Sequence, residues 1–238
     1  MLTIIAAMEQ ELSGLRRALP ADSIASVELH VVGVGKERAQ SSLRKILDAK
    51  SRSSGDGLLL LGFAGGLDPA LQAGDLVVPN YFYGECGDRI AADPDMWRQS
   101  QAAATKAAMP VAPGDSLTVA AVAATSEEKR ELYRRHRVGS VNMEDYWAAE
   151  VAADSGVPFL SARAILDPVH QVLPSYLVGF SGRPIKAALR VMPKPWRVLT
   201  ILELVKLRNK AQASLTSFGL AFIKHRQSSG QRQKQVLR

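Results

Sequence analysis

Three carboxylates in this chain each follow an apolar stretch whose residue pattern predicts a strand. Asp167 comes directly after the run 158–165, whereas Glu11 and Glu144 follow shorter apolar runs that contain a methionine. Ligands of open α/β proteins bind at the carboxyl edge of the sheet. We therefore expect the three acids to line one cleft, where carboxyl groups can donate and accept protons.

Each acid also has a structural interpretation that needs no ligand. Glu11 and Glu144 would lie in the first turns of helices, where a negative charge interacts favourably with the helix dipole. Asp167 would cap the turn before Pro168. For Glu11 and Glu144 in isolation, the structural interpretation is the commoner one, so the surrounding motifs must decide.

The elements that position these residues alternate between strand and helix along the chain. Apolar β-branched runs predict the strands, and apolar residues at helical spacing predict the helices between them. This alternation predicts a three-layer α/β fold with a central mixed, largely parallel sheet. Strands are expected at 2–7, 27–32, 58–61, 75–83, 138–141 and 158–165, and helices at 9–19, 37–49, 126–136 and 145–155.

Two glycine-rich turns follow predicted strands. The turn Gly33-Val34-Gly35-Lys36 precedes a helix, and it could either bind an anion at the helix N-terminus or simply connect the two elements. A dinucleotide site is disfavoured there because Arg38 stands where the fingerprint requires its third glycine. The pair Gly65-Gly66 indicates a sharp bend or a close approach of the backbone to a ligand.

Five ordered motifs between residues 1 and 167 resemble those of the purine nucleoside phosphorylase and nucleosidase family. The pattern is most similar to the methylthioadenosine/adenosylhomocysteine nucleosidases, while two variants resemble the hopanoid-associated phosphorylases: Met143-Glu144-Asp145-Tyr146-Trp147 and Leu166-Asp167-Pro168. The resemblance implies a nucleoside-phosphorylase-like fold and a functional role for all three acids. The five motifs are Ala7-Met8-Glu9-Gln10-Glu11, Gly33-Val34-Gly35-Lys36, Ala64-Gly65-Gly66-Leu67 with Gly74-Asp75-Leu76-Val77-Val78, Met143-Glu144, and Arg163-Ala164-Ile165-Leu166-Asp167.

The resemblance also implies how the acids would cleave a purine N-glycosidic bond. Asp167 would protonate the departing purine at N7, and burial beside apolar neighbours would favour the protonated carboxyl group that this step needs. Glu11 would activate the attacking water. Glu144 would bind the ribose hydroxyls, and Met143 would pack against the sugar.

Other positions depart from the nucleosidase pattern. Ala64 and Gly65 would place backbone groups near the nucleophile, but Phe63 stands where the family usually has a small hydroxyl residue. Leu166 replaces the serine that contacts the base. Both changes make the expected pocket more apolar.

The sequence leaves two candidates for the nucleophile, water and phosphate. The phosphate loop of the hexameric phosphorylases is missing, and the candidates for binding phosphate are Lys36, Arg38 and Arg163. Glu11 favours water, whereas the resemblance to phosphorylases favours phosphate. We expect no metal and no cofactor, with inorganic phosphate as the co-substrate if the reaction is phosphorolysis.

Length and composition favour one globular domain. The chain has 238 residues, 47% of them hydrophobic, and no apolar run approaches the ~20 residues that span a bilayer. The start lacks the basic region of a signal peptide, and Cys86 is the only cysteine. We therefore expect a cytoplasmic protein without disulfides, whose single domain spans residues 1–225.

Positive charge is concentrated in the last quarter of the chain. Residues 1–182 carry 17 Lys and Arg against 22 Asp and Glu, whereas residues 183–238 carry 13 against one. Residues 168–209 form a basic and apolar insertion relative to the nucleosidases, which predicts peripheral contact with an anionic membrane. The alternative is that Leu204, Leu207 and the apolar residues after them form the core stripe of one long helix, which we favour beyond Asn209. Residues 226–238 are expected to be a flexible basic tail.

An insertion of this kind, directly after the proposed acid, would suit a lipid with an adenosine head. The resemblance then implies cleavage of adenosylhopane to adenine and ribosyl- or phosphoribosyl-hopane in hopanoid biosynthesis. Two alternatives stay open: a soluble methylthioadenosine/adenosylhomocysteine nucleosidase, and a non-catalytic module that binds a nucleotide or a lipid. The family commonly pairs subunits near the active site, so we expect a homo-oligomer. Nucleic acid is not an expected partner because no recognised module would position the charge.

Overall fold

The computed structural model describes residues 1–49, 56–171 and 196–236. Strands and helices alternate over most of this length, as the sequence predicts. The strands are β1 (Leu2–Ala6), β2 (Val27–Val31), β3 (Gly57–Gly66), β4 (Leu76–Val77), β5 (Tyr81–Tyr83), β6 (Arg89–Ala91), β7 (Val111–Ala112), β8 (Ser116–Thr118), β9 (Ser140–Asn142) and β10 (Phe159–Asp167). The helices are α1 (Glu9–Ala18), α2 (Lys36–Asp48), α3 (Pro94–Lys106), α4 (Ser126–His136), α5 (Asp145–Asp154) and α6 (Trp196–Val236), with a 3-10 helix at Ala21–Ser26.

The ten described strands form one mixed sheet around β3. Strand β3 pairs in parallel with β1 and with β10, and its last two residues pair antiparallel with β9. Most of the remaining pairs are parallel, while β10 with β4 and β5 with β6 are antiparallel. The prediction of a mixed, largely parallel sheet in an α/β fold is confirmed.

Two groups of helices flank this sheet. Helices α1 and α3 pack against α6, which also contacts β3 and β10, whereas α2 packs against α5, which contacts β3, β8 and β10. Because helices cover both faces of the central strands, β3 is apolar without alternation, and the leucines of the run 58–61 are fully buried. This rigid centre carries the ends of β3 and β10 to the same edge of the sheet.

An irregularity in the β3–β10 pairing lies at that edge. Ile165 pairs with Ala64 and Asp167 pairs with Gly65, so that Leu166 is an extra residue in β10. A bulge of this type bends the strand and redirects the side chains beside it. It therefore sets the direction of Asp167 at the end of β10.

Some elements differ from the sequence-based expectation. The expected strand at 75–83 is two short strands, β4 and β5, and helix α3 with strands β6 to β8 was not anticipated. Helix α3 has a clear start signal in retrospect, since the side chain of Asp93 accepts hydrogen bonds from the Asp95 and Met96 amides and Pro94 follows it. The interior of α3 is rich in alanine and lacks the stripe of large apolar residues by which hydrophobic periodicity indicates a helix.

The last helix is longer than expected at both ends. Helix α6 begins at Trp196, inside the proposed insertion, because Leu204 and Leu207 extend the stripe that continues through buried Ala211, Leu215, Phe218 and Phe222. It also continues to Val236, across a segment expected to be a flexible tail, and the Gln227 side chain hydrogen-bonds to Ser26. None of the helices in the described ranges has an apolar stretch long enough to cross a membrane. The central part of the insertion, residues 172–195, lies outside the described residues.

Candidate active site

A cavity of about 420 Å³ opens at the edge of the sheet where β3, β9 and β10 end. All three carboxylates singled out from the sequence line it, as do most of the other predicted site residues. The lining includes Glu11, Glu144, Asp167, Met143, Phe63, Ala64 and Gly65, together with Ala7, Met8, Val34, Val119, Val122, Ala123, Val141, Asn142, Leu166, Leu204 and Arg208. The three candidates for binding phosphate, Lys36, Arg38 and Arg163, lie outside this lining.

Glu11 is held at the start of α1 by two backbone amides. Its Oε2 accepts a hydrogen bond from the Met8 amide and its Oε1 accepts one from the Phe63 amide, both at 2.8 Å. The first bond lies within the first turn of α1, and the second joins α1 to the end of β3. Glu11 is therefore fixed between two elements rather than free in the first turn of a helix.

Glu144 lies between β9 and α5, and it reaches across to the glycine turn before α2. Its Oε1 accepts a hydrogen bond from the Gly35 amide at 3.3 Å, and Gly35 has the positive φ of 85° that glycine tolerates. The turn therefore connects β2 to α2 and also binds an anionic group, which is the carboxylate of Glu144.

Arg163 lies beneath the cavity floor and is fully buried. Its guanidinium donates hydrogen bonds to the Asp145 carboxylate at 2.7 and 3.0 Å and to the Phe63 carbonyl at 3.1 Å, and it lies 3.5 Å from Glu144. These contacts occupy the guanidinium N–H donors that would otherwise bind a phosphate. We infer that Arg163 orients Glu144 and the end of β3 instead of touching a ligand.

Asp167 has a buried cationic partner that sequence reasoning missed. The Lys129 ammonium, on α4, forms an ion pair with the Asp167 carboxylate and is completely inaccessible to solvent. The same ammonium lies within 3.1 to 3.2 Å of the carbonyls of Asp167, Pro168 and Gln171. Lys129 therefore fixes both the carboxylate and the turn that follows β10.

The start of α4 explains why Lys129 points inward. Thr125 accepts a hydrogen bond from the Glu128 amide, and the Glu128 carboxylate accepts hydrogen bonds from the amides of Ala124 and Thr125. This reciprocal cap fixes the first turn of the helix. Lys129, one position later, lies on the buried side and its long side chain reaches the end of β10.

Burial changes the acidity of the three carboxyl groups. Desolvation raises the pKa of Glu11 to about 7, with the negative charge of Glu144 adding to the rise and Arg163 opposing it. Desolvation also raises the pKa of Glu144, against the pull of Arg163. It raises the pKa of Asp167 to about 6, although Lys129 acts in the opposite direction. Groups with such values can exchange protons near neutral pH.

Leu204 and Arg208 complete the cavity from helix α6. Both residues belong to the insertion expected from the sequence, where neither was expected to contribute to the site. Their four-residue spacing puts them on one helix face, which is the signal that could have linked them to the stripe packing on the core. The rest of the lining is mainly apolar, so the three acids are the chemically reactive groups at the cavity wall, with Arg208 as the cation beside them.

Comparisons with known proteins agree with this architecture. Residues 3–174 match the family model described as the phosphorylase superfamily. The futalosine hydrolase of Helicobacter pylori strain 26695 matches with a TM-score of 0.70 and 15% identity, over 94% of this chain and 97% of that chain. The 5'-methylthioadenosine/S-adenosylhomocysteine nucleosidase of Neisseria meningitidis, solved with methylthio-immucillin-A, matches with a TM-score of 0.70 and 20% identity, over 94% and 98%. At these identities the likeness shows a shared fold. Comparison with curated proteins gives no match.

Proposed function

We propose that this protein, which belongs to the phosphorylase superfamily, cleaves the N-glycosidic bond of an adenosyl compound. Membership of the family confirms the predicted class of enzyme, a nucleoside phosphorylase or nucleosidase. The observation that carries the proposal is the meeting of Glu11, Glu144 and Asp167 at one cavity.

The proposed reaction divides the chemistry between two ends of the cavity. As the bond between C1′ and the purine breaks, positive charge develops on the ribose and negative charge on the base. Asp167 would donate a proton to N7 of the base, and Glu11 would accept a proton from the water that attacks C1′. Their raised pKa values support these roles, because Asp167 can hold a proton near neutral pH and Glu11 becomes a stronger base.

Glu144 and Arg163 suit a supporting role at the sugar. A carboxylate accepts hydrogen bonds from ribose hydroxyls, and the Gly35 amide with Arg163 would hold Glu144 in place for this contact. Met143 would pack on the sugar, and the backbone of Ala64 and Gly65 would border the nucleophile. These assignments follow the family resemblance, and the position of each residue at or directly below the cavity supports them.

Water is the nucleophile that the local charges favour. Glu11 and Glu144 line the same cavity, and their negative charges would repel a phosphate dianion that approached C1′ beside them. Arg163, the buried cation beside Glu144, is already bound to Asp145 and Glu144, which leaves Arg208 as the cation of the lining that could offset this repulsion. Phosphorolysis remains the alternative that the test below distinguishes.

We propose further that the 5′ substituent of the substrate is apolar, with adenosylhopane as the candidate that the resemblance implies. Phe63 and Leu166 make the lining more apolar than in the nucleosidases, and a cavity of about 420 Å³ would accommodate the adenosine head but not a triterpene as well. The tail would have to leave the cavity past Leu204. Peripheral contact of residues 168–209 with an anionic membrane, and pairing of subunits, belong to the same proposal. The alternative substrates are methylthioadenosine and adenosylhomocysteine.

Release of free adenine tests the reaction. The purified chain is incubated with methylthioadenosine, and with adenosylhopane in anionic vesicles, each with and without inorganic phosphate, and the products are analysed by mass spectrometry. We expect adenine from at least one substrate, and about a 10²- to 10⁴-fold lower rate for Asp167→Asn. Asp154→Asn is a matched control, because Asp154 is exposed on α5 and does not line the cavity.

The outcomes separate the alternatives. A phosphorylated sugar product would establish phosphorolysis, and a free sugar would establish hydrolysis. Faster turnover of methylthioadenosine than of adenosylhopane would contradict the lipid substrate. If no adenosyl compound loses its base, the non-catalytic binding module is the better interpretation.

A further inference from the structure

Arg208 is a cation of the cavity wall for which the described residues provide no anionic partner. It lines the cavity from α6, and its Nε is buried without a hydrogen-bond partner. Among the described residues, the side-chain acceptor bonded to its guanidinium is the neighbouring Asn209, at 3.3 Å. A buried polar group without a partner is costly, so a ligand that satisfies it gains binding energy.

The rest of the C-terminal sequence offers almost no carboxylate to neutralise Arg208. From Pro168 to Arg238 the chain contains a single acid, Glu203, whose side chain is exposed five residues earlier on the same helix. Residues five apart do not face each other on a helix. Among the described residues of this C-terminal segment, no carboxylate side chain is therefore placed to pair with Arg208.

The packing of α6 shows which end of the cavity Arg208 reaches. Gln212, one turn later on the same helix face, donates hydrogen bonds to the Gln10 carbonyl and the Ser13 hydroxyl of α1. Arg208 thus lies beside the start of α1, where Glu11 and Met8 line the cavity. Glu11 is also the residue proposed to activate the nucleophile.

We propose that Arg208 binds an oxyanion at the cavity wall beside the start of α1, either inorganic phosphate or an anionic group at the end of an otherwise apolar 5′ substituent of the substrate. Arginine binds phosphate and carboxylate through parallel charge-assisted hydrogen bonds, and a partly buried guanidinium binds them more strongly than an exposed one. Leu204, one turn before it on the same face, would contact the apolar part of the same substituent. The inference rests on the proposed N-glycosidic reaction for its activity readout, and a binding readout tests it separately.

The activity test compares two substrates that differ in charge. Methylthioadenosine has a small neutral 5′ group, whereas S-adenosylhomocysteine ends in a carboxylate. For a substrate-borne anion, Arg208→Gln lowers kcat/KM for adenosylhomocysteine about 10- to 100-fold more than it lowers kcat/KM for methylthioadenosine. For free phosphate, Arg208→Gln instead raises the KM for phosphate or abolishes the stimulation of base release by phosphate.

Two further variants test whether the effect comes from the positive charge at the cavity wall. Arg208→Lys retains the positive charge and should recover part of the loss. Lys206→Gln removes the same charge from an exposed position of α6 that does not line the cavity, and it should behave as wild type. Far-ultraviolet circular dichroism checks that each variant is folded.

The binding test needs no turnover. Wild type should show a rise in Tm with millimolar inorganic phosphate or with adenosylhomocysteine, and Arg208→Gln should show a smaller rise with the ligand that Arg208 binds. If both ligands shift the two proteins equally and the kinetics of the variants match wild type, the anion site is refuted. Failure of every adenosyl compound to lose its base would refute the proposed function instead, while the Tm comparison would still decide the anion site.

Discussion

The ion pair between Lys129 and Asp167 predicts how one substitution moves the pH profile of the enzyme. Lys129→Met replaces the ammonium by a neutral side chain of similar length in a fully buried position. The charge that lowers the pKa of Asp167 then disappears, while the burial that raises it stays. The acid should therefore keep its proton to higher pH in the variant.

The size of the change follows from the geometry. An opposite charge in direct contact lowers the pKa of a carboxyl group by about 1 to 3 pH units, so its removal moves the pKa of Asp167 from about 6 to between about 7 and 9. At pH 8 about 1% of wild-type Asp167 is protonated, against about 10% or more in the variant. The maximum rate should fall, because Lys129 also holds three carbonyls of the turn after β10.

The assay is the pH dependence of kcat/KM for adenine release between pH 5 and 10. Because the two pKa values are reversed, the wild-type acid limb should lie near pH 6 and the alkaline limb near pH 7. In Lys129→Met the alkaline limb should move up with the pKa of Asp167, and the acid limb should rise towards the Glu11 value of about 7. Arg130→Met is the matched control, because it removes the same charge from an exposed position of α4. An alkaline limb that stays in place in a folded Lys129→Met variant would refute the assignment of Asp167 as the acid controlled by Lys129.

The remaining predictions concern stability. The folded-state pKa of Glu11 is raised, so its contribution to stability is complete below pH 4.5 and is lost as the pH rises through about 7, which amounts to about 3 kcal/mol. The free energy of unfolding, measured with urea at pH 4.5 and pH 8, should fall by that amount more in wild type than in Glu11→Gln. If it changes equally with pH in the two proteins, the raised pKa of Glu11 is contradicted. Gly62→Ala should destabilise the fold by about 1–3 kcal/mol, because the new methyl group would overlap the Arg163 guanidinium, and Gly84→Ala, where the methyl group meets only ordinary contacts, is the control in thermal unfolding.

The sequence predicted the parts of the site that depend on strand ends. Asp167 follows β10 and Glu11 follows β1, and both strands run parallel to β3, so that geometry alone brings their carboxyl ends to one edge. Glu144 follows β9, which pairs antiparallel with the end of β3, and its place at the cavity depends on that pairing. The positions of Asp167 and Glu11 could therefore be anticipated without side-chain detail. The same logic placed Glu11 at the start of α1, although not its bond to the Phe63 amide.

The cations could not be predicted in the same way. Lys129 belongs to the charged run Glu127-Glu128-Lys129-Arg130, which is typical of a solvated helix face, and only the tertiary structure shows that Lys129 alone points inward. Arg163 was identified from the sequence, but its hydrogen bonds to the Asp145 carboxylate depend on a contact between β10 and α5. A buried charge is stable only beside its partner, and sequence patterns do not show which distant residue that partner is.

The order of the two pKa values has a consequence for turnover. Glu11 must be ionised and Asp167 protonated, yet the pKa of about 7 for Glu11 lies above that of about 6 for Asp167. For independent groups the correct combination is then most abundant near pH 6.5, where it comprises about 6% of the free enzyme. A bound purine would displace water from the mainly apolar wall around Asp167 and raise its pKa further, which increases the protonated fraction in the complex. The profile of kcat should therefore extend to higher pH than that of kcat/KM in wild type, and this difference should shrink in Lys129→Met, where Asp167 already holds its proton before the substrate binds.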